Sequence, residues 1–256
     1  MLKQERINEI LKLLHQNGKV EVNNLVRLFN VTEMTIRRDL NDLFKQNLAV
    51  RSYGGATLPP DRILTEKPFE LRINKNQREK DAIAELAIPL IEDGMKVFLD
   101  SSTTCYSLAR KITNDRNFII ITDTISTAME LNTRNNIQVV CLGGELRKNT
   151  HSCVGMFAEQ MVNSMHFDIS FISVPNITVN GTLSSSSIME ASLKRTVIEN
   201  SSLKVLLVDS SKVGGSDFIK IGDISIVDIV ITDSNMSLDF INHCKNKGIE
   251  VKIAEI

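Results

Sequence analysis

Residues 32–58 read Thr32-Glu33-Met34-Thr35-Ile36-Arg37-Arg38-Asp39-Leu40-Asn41-Asp42-Leu43-Phe44-Lys45-Gln46-Asn47-Leu48-Ala49-Val50-Arg51-Ser52-Tyr53-Gly54-Gly55-Ala56-Thr57-Leu58. Thr32 is a good helix N-cap, and Ile36, Leu40 and Leu43 follow at the spacing of one apolar helix face. The same periodicity sets Met34, Arg38, Asn41 and Lys45 on the opposite face, with Thr35 and Arg37 on the flanks. Beyond Gln46-Asn47, two short strand-like runs, Leu48–Tyr53 and Ala56–Leu58, hinge on Gly54-Gly55, which predicts a β-hairpin.

Upstream, Ile7, Ile10, Leu11 and Leu14 form the stripe of an amphipathic helix that Asn17-Gly18 stops. Leu25, Leu28 and Phe29 mark a second, shorter helix ending near Asn30. Two short helices around a tight turn, the second capped and carrying outward arginines, describe a helix-turn-helix, with the hairpin as its wing. Lys19, Thr32, Met34, Thr35, Arg37, Arg38, Asn41, Arg51 and Tyr53 are the candidate contacts to double-stranded DNA. Arg37 or Arg38 can bond guanine edges bidentately or clamp phosphates. For the helix taken alone, a solvated face with two arginines is an equal reading, and the hairpin behind it tips the balance.

Thr35-Ile36-Arg37-Arg38-Asp39-Leu40, with Gly54-Gly55-Ala56 at the wing, resembles the signature of DeoR-type repressors of sugar metabolism. Tyr53 departs from the His more common there, and its hydroxyl can still donate to a phosphate.

Residues 58–74 hold three of the five prolines in the chain, so neither a regular helix nor a central strand is expected, and the stretch reads as a semi-rigid linker. The expected organisation is a winged helix-turn-helix over 1–57, a linker over 58–74 and a second domain over 75–256. In that domain the strand-sized runs are 97–99, 118–121, 137–142, 169–174, 205–208 and 226–231. They alternate with amphipathic stretches at 77–91, 103–112, 124–133, 155–164 and 188–200, which predicts an open, mainly parallel, Rossmann-like α/β fold. Ser184 to Ser187 are taken as a loop.

Ligands of such sheets bind beyond the carboxyl ends of the strands, so the residues after each run matter most. Asp100-Ser101-Ser102-Thr103-Thr104 opens a helix, where hydroxyls and unpaired backbone N–H groups suit a phosphate as readily as they suit ordinary capping. Thr122-Asp123 follows the second run, Gly143-Gly144 the third, where backbone could approach a ligand closely, and Asp209-Ser210-Ser211-Lys212 the fifth. Together they predict a small anionic-ligand pocket.

Residues 75–235 also resemble the DeoR-type sensor domain, whose fold is similar to ribose-5-phosphate isomerase. The matching positions include Asp100 to Thr104, Thr122, Gly143-Gly144, Gly155, Asp168, Gly181, Glu190-Ala191, Lys194, Asp209 and Ser211-Lys212. That resemblance implies a phosphorylated-sugar effector that weakens DNA binding. The effector contacts expected are Asp100, Ser101, Ser102, Thr103, Thr104, Thr122, Asp123, Gly143, Gly144, Glu190 and Lys212. Asp123 departs from the family's Asn, and Ser173-Val174-Pro175-Asn176-Ile177 replaces a glycine-bearing loop, with Asn176 able to take positive φ.

Two other readings stand beside this one. A sugar-phosphate isomerase needs a carboxylate to move a proton between adjacent carbons, and the loop where isomerases supply acidic groups offers Pro175 and Asn176. A repressor without small-molecule effector would rely on oligomerisation alone. No catalytic residue is assigned.

Composition agrees with a modular DNA binder. Residues 1–57 carry nine Lys/Arg against six Asp/Glu, whereas the remainder carries 21 against 25. With two Tyr and no Trp, base stacking on single strands is disfavoured. No signal-peptide pattern or membrane-length apolar run occurs, which predicts a cytoplasmic protein. Cys105, Cys141, Cys153 and Cys244 are widely spaced, as expected of reduced core cysteines, and neither a metal nor a cofactor is expected. A homo-oligomer, dimer or tetramer, is expected because one small winged domain contacts only modest DNA surface.

Overall fold

The computed structural model of the chain describes residues 2–45, 48–57, 68–113 and 117–256. Two compact units divide it, Met1–Lys67 and Pro68–Ile256.

The first unit runs α1 (Lys3–Asn17), β1 (Lys19–Glu21), α2 (Val22–Phe29), α3 (Glu33–Lys45), β2 (Val50–Ser52) and β3 (Gly55–Thr57). Gly18, at φ 73°, ends α1 as Asn17-Gly18 predicts, its N–H donating to the Leu14 carbonyl at 2.8 Å. Asn30 closes α2 at φ 51°. Thr32 caps α3, its Oγ1 accepting from the Thr35 N–H at 3.3 Å. The wing gains a strand that the sequence reading lacks, for β1 joins β3 and β2 in the order β1-β3-β2, all antiparallel. Gly55 is required there, since a Cβ would stand 1.9 Å from the Val20 carbonyl oxygen of β1. Ile10, Leu14, Ile36 and Leu43 close the core, each worth about 1.5–3 kcal/mol of burial.

The second unit runs α4 (Phe69–Ile73), α5 (Gln77–Ala87), β4 (Lys96–Leu99), α6 (Thr103–Lys111), β5 (Phe118–Thr122), α7 (Ile125–Leu131), β6 (Ile137–Cys141), β7 (Glu145–Arg147) and β8 (Ser152–Val154). It continues with α8 (Met156–Asn163), β9 (Phe167–Ile172), β10 (Asn176–Ile177), β11 (Thr182–Ser185), α9 (Ile188–Glu199), β12 (Ser201–Leu207), β13 (Ile219–Asp223), β14 (Ile229–Asp233), α10 (Leu238–Asn246) and β15 (Glu250–Ala254).

Seven parallel strands form the main sheet in the order β15-β14-β12-β9-β4-β5-β6. Numbered along the chain this is the doubly wound order 3-2-1-4-5-6 with one strand added, and the winding reverses between β4 and β9. Alternate strand residues feed two cores. Val97 and Leu99 pack with Ile83 of α5 and Leu108 of α6. Phe98, on the other face, joins the core that holds Val162 of α8, Val197 of α9 and Phe240 of α10. A β7-β8 hairpin and an antiparallel β10-β11-β13 sheet complete the unit.

Three expectations need correction. The stretch 58–74 is not uniformly irregular. Residues 58–67 lie outside the described residues, but Phe69–Ile73 is helical because Phe69 is buried in ring contact with Tyr106 and His151. Ser184 and Ser185 are strand, not loop, with the Ser184 hydroxyl donating to the Asn176 carbonyl at 3.2 Å. Asn176 itself is extended in β10, its amide donating to Asp217 at 2.8 Å, and it does not take positive φ.

Candidate functional site

The first candidate surface is the exposed side of α3 with the wing. Met34, Arg37, Arg38, Asn41, Arg51 and Tyr53 are exposed, whereas Ile36, Asp39, Leu40 and Leu43 turn inward. Asp39 receives Arg6 of α1 in a two-pronged ion pair, Nε to Oδ2 at 2.6 Å and Nη2 to Oδ1 at 3.3 Å. This pair ties α3 to α1. Arg37 is held by Glu33 one turn earlier, at 2.6 Å. Arg38 has no ion pair among the described residues. Arg51 does not simply project outward, for it donates to Asn41 Oδ1 at 2.8 Å and lies over the Phe44 ring at 5.2 Å. That contact ties the wing to α3. Lys19 stands on β1, 3.8 Å from Glu21. Thr32 is tied up by its cap and by Thr35.

The second candidate site lies where the sheet reverses. Asp100, immediately after β4, is buried and bridges to β9, its N–H donating to the Phe171 carbonyl at 3.1 Å while Oδ2 accepts from the Ser173 N–H at 2.7 Å. Ser102 N–H donates to its Oδ1 at 2.9 Å, and the Lys194 ammonium of α9 is ion-paired with Oδ2. Burial pushes the Asp100 carboxyl up, but Lys194, Ser102 and Ser173 together hold it below the ordinary carboxylate value. Ser102 caps α6, accepting from Cys105 N–H at 3.0 Å. Ser101, Thr103 and Thr104 are buried beside it.

Asp123 follows β5 and is almost fully buried. Its backbone carbonyl accepts from Cys153 N–H at 2.6 Å, and Thr122 Oγ1 accepts from Thr124 N–H at 3.2 Å. Burial raises its carboxyl to about 7; the Lys194 charge opposes this and Asp100 reinforces it. Asp123 Oδ1 has no hydrogen-bond partner among the described residues. Glu190 of α9 is ion-paired with Arg147 of β7 and accepts from Ser152 at 3.4 Å and Ser185 at 3.5 Å.

Two expected positions behave differently. Gly144 serves packing, since at φ 142° a Cβ would stand 2.5 Å from the Val154 carbonyl oxygen, so its close approach is to β8. Lys212 sits in a second cluster at the end of β12. There Asn76 at the N-terminus of α5 donates to Asp209 Oδ1 and to Ser211 Oγ, both at 3.0 Å. Lys80 is buried in the same cluster, its ammonium donating to the Arg72 carbonyl. Burial lowers its pKa to about 8; Asp209 opposes this, and the charges of Lys212, Arg72 and Lys75 add to it.

Lys80, Asn76, Arg147 and Lys194 thus join these clusters without being among the expected effector contacts. Lys80 left a trace in the sequence, because it falls on the apolar face of α5 with Ile83, Ala84 and Ala87. Among the described residues, no group of three or more His, Cys, Asp or Glu is placed to hold a metal ion, and no helix is long and apolar enough to cross a membrane.

Residues 75–234 match the DeoR C terminal sensor domain, and residues 6–61 match the DeoR-like helix-turn-helix domain. The glycerol-3-phosphate regulon repressor of Escherichia coli (strain K12) is 34% identical over 234 residues, 91% of this chain and 92% of that one. A lactose phosphotransferase system repressor of Staphylococcus epidermidis is 34% identical over 237 residues, 92% of this chain and 94% of that one. Among solved structures, ribose 5-phosphate isomerase A from Methanocaldococcus jannaschii aligns with a TM-score of 0.41 at 20% identity, covering 54% of this chain and 55% of that one. With both halves matched and relatives similar along nearly their whole length, this chain belongs to the DeoR family of DNA-binding transcriptional regulators, not to the isomerases.

Proposed function

We propose that the protein represses an operon of carbohydrate metabolism in the cytoplasm and leaves its operator when a phosphorylated sugar binds the second unit. The observation that carries this reading is the place of Asp100-Ser101-Ser102 at the reversal of strand order, beside Lys194 and at the N-terminus of α6. Such an edge is where doubly wound sheets take their ligands, and the hydroxyls after β4 can hydrogen-bond to a sugar. The sugar hydroxyls would meet Ser101, Ser102 and Asp123. The phosphate would sit toward Lys80 and Lys212, where an anion relieves the cost of a buried ammonium beside other cations.

On the DNA side, Arg38 with Thr35 and Met34 would enter the major groove, while Arg37, Lys19 and Tyr53 would meet phosphates. Arg51 and Asn41 would act as a pair that sets the wing. Binding as a homo-oligomer, dimer or tetramer, would supply the contact area that one winged unit lacks.

The test is a gel-shift titration of the full-length protein on DNA upstream of its own operon, repeated with a panel of sugar phosphates. One compound should release the DNA, and Lys212→Ala or Ser102→Ala should block release while leaving DNA binding intact. DNA binding that no sugar phosphate affects would discard the effector and leave the repressor.

A further inference from the structure

We propose that His151 is a positioning residue that couples the effector edge to α4, the helix with which the chain enters the second unit, so that effector binding reaches operator binding through it; this rests on the sensor reading above.

His151 stands in the turn between β7 and β8 at φ 56°, a left-handed backbone that residues other than glycine rarely adopt and keep only where their surroundings hold it. Its main chain belongs to the effector edge. The His151 carbonyl accepts from the Ile125 N–H at 3.0 Å and from the Thr124 hydroxyl at 3.2 Å, in the turn that follows Thr122 and Asp123. Two residues further on, the Cys153 N–H donates to the Asp123 carbonyl at 2.6 Å, and between them Ser152 bridges to Thr124. The Ser152 hydroxyl also donates to Glu190 at 3.4 Å. A shift of the Thr122–Asp123 turn around a ligand is therefore passed along main-chain hydrogen bonds to residues 151–153.

The side chain of His151 belongs to α4. Nε2 lies 3.2 Å from Glu70 Oε1, and the ring packs on Phe69 with centroids 5.3 Å apart. On its other side Nδ1 is 2.8 Å from the Ser126 hydroxyl of α7, so both ring nitrogens are engaged. The same turn holds α4 by its backbone, the Phe69 N–H donating to the Asn149 carbonyl at 2.7 Å. Phe69 also meets Tyr106 of α6 edge-on, and Lys80 of α5 donates to the Arg72 carbonyl, so the helices of the unit hold α4 as well. His151 adds a joint to that packing. Its main chain moves with the turn after β5, and its ring is fastened to the helix from which the chain leads back to the winged unit. Coupling between distant sites travels through contiguous steps of this kind.

The experiment measures the operator affinity of the full-length protein by fluorescence anisotropy, without and with glycerol 3-phosphate, glucose 6-phosphate, galactose 6-phosphate and fructose 1-phosphate. Each compound is also titrated into the protein calorimetrically. In the unaltered protein at least one compound should weaken operator binding by about fivefold or more. His151→Asn tolerates the left-handed backbone but is too short to join Ser126 to Glu70. It should bind that compound and the operator each within about twofold of the unaltered protein, while the compound changes its operator affinity by less than about twofold. A loss of packing alone would leave that ratio of operator affinities in place. Glu70→Ala alters an exposed side chain and should at least halve the effect, which keeps the test open where the His151 variant fails to fold. Full release in either folded variant overturns the role of His151 and leaves the sugar-phosphate sensor standing. Loss of sugar-phosphate binding by folded His151→Asn does the same, because it places His151 in the ligand site itself. An unaltered protein that binds none of these compounds, or binds them with no change in operator affinity, overturns both readings.

Discussion

In the helix-turn-helix unit Met34, Arg38 and Tyr53 stand in solvent, while the core behind them is apolar except where Arg6 meets Asp39. In the second unit the order is inverted. Asp100, Asp123, Glu190 and Lys194 are buried, and the same groups that would read a ligand also join β4 to β9 and α9 to the sheet. DNA is a large polyanion met at a surface, so its reader can be fastened onto a finished core. A small ligand must be surrounded, so its reader becomes part of the core. Function and stability should therefore separate in the first unit and be entangled in the second.

Asp100→Ala tests the entanglement at its strongest point. It strands the Lys194 ammonium and removes acceptors from Ser102 and Ser173, so urea unfolding should show the second unit destabilised by about 3–5 kcal/mol. A loss under 1 kcal/mol would break the comparison. Arg6→Ala does the corresponding damage in the first unit. Its accessible surface is small but little protein surrounds it, so a loss of roughly 2–3 kcal/mol is expected, at the low end for buried pairs, with only the first unit's transition moving.

Asp123 gives the comparison a pH axis. Its carboxyl is raised in the folded state, so the stability it confers is complete below the ordinary value of 3.8 and is lost as pH rises toward about 7. The ligand-free protein should lose up to about 1.4 kcal/mol per pH unit relative to Asp123→Asn across that window, and no more above it. Parallel stability curves for the two proteins would remove Asp123 from the buried, titrating class.

Arg38→Ala probes the separable side. Operator binding should weaken by about 1–3 kcal/mol in gel shifts at fixed moderate salt, while the melting temperature stays put, with stability within about 0.5 kcal/mol. Smallest of all, Arg37→Ala removes an exposed pair with Glu33 and should change stability by less than about 1 kcal/mol.

The winged head was legible because its devices are local: Gly18 and Asn30 as stops, Thr32 as cap, Ile36-Leu40-Leu43 as the inner face. The parallel sheet was legible for its central strands, which are apolar on both faces, and not for β15, where Glu250 and Lys252 interrupt any apolar run at the sheet edge. The β10-β11-β13 sheet carried no signal in Ser184 and Ser185, which look like loop residues until their strand partners are known. In the candidate site, Asp100 and the hydroxyls after it could be found from their place behind an apolar run. Lys194 stood out only through the family resemblance and Arg147 not at all, since each is paired with a carboxylate many residues away in the chain. The pairing of Arg51 with Asn41 is of the same kind, a contact between elements that periodicity cannot see.

The doubly wound strand order also dictates a timetable. β4 leaves the ribosome first among the strands of the main sheet, yet it belongs in the middle and cannot be flanked on both sides until β9, Phe167–Ile172, has been synthesised. The winged unit needs nothing beyond its own residues to close its core. At ordinary translation speeds, about 5–20 residues per second, a nascent chain carries a folded helix-turn-helix for several seconds before the β4–β9 edge, the candidate ligand site, exists. A truncated or stalled product would therefore present the DNA-reading surface on a chain that no effector can address.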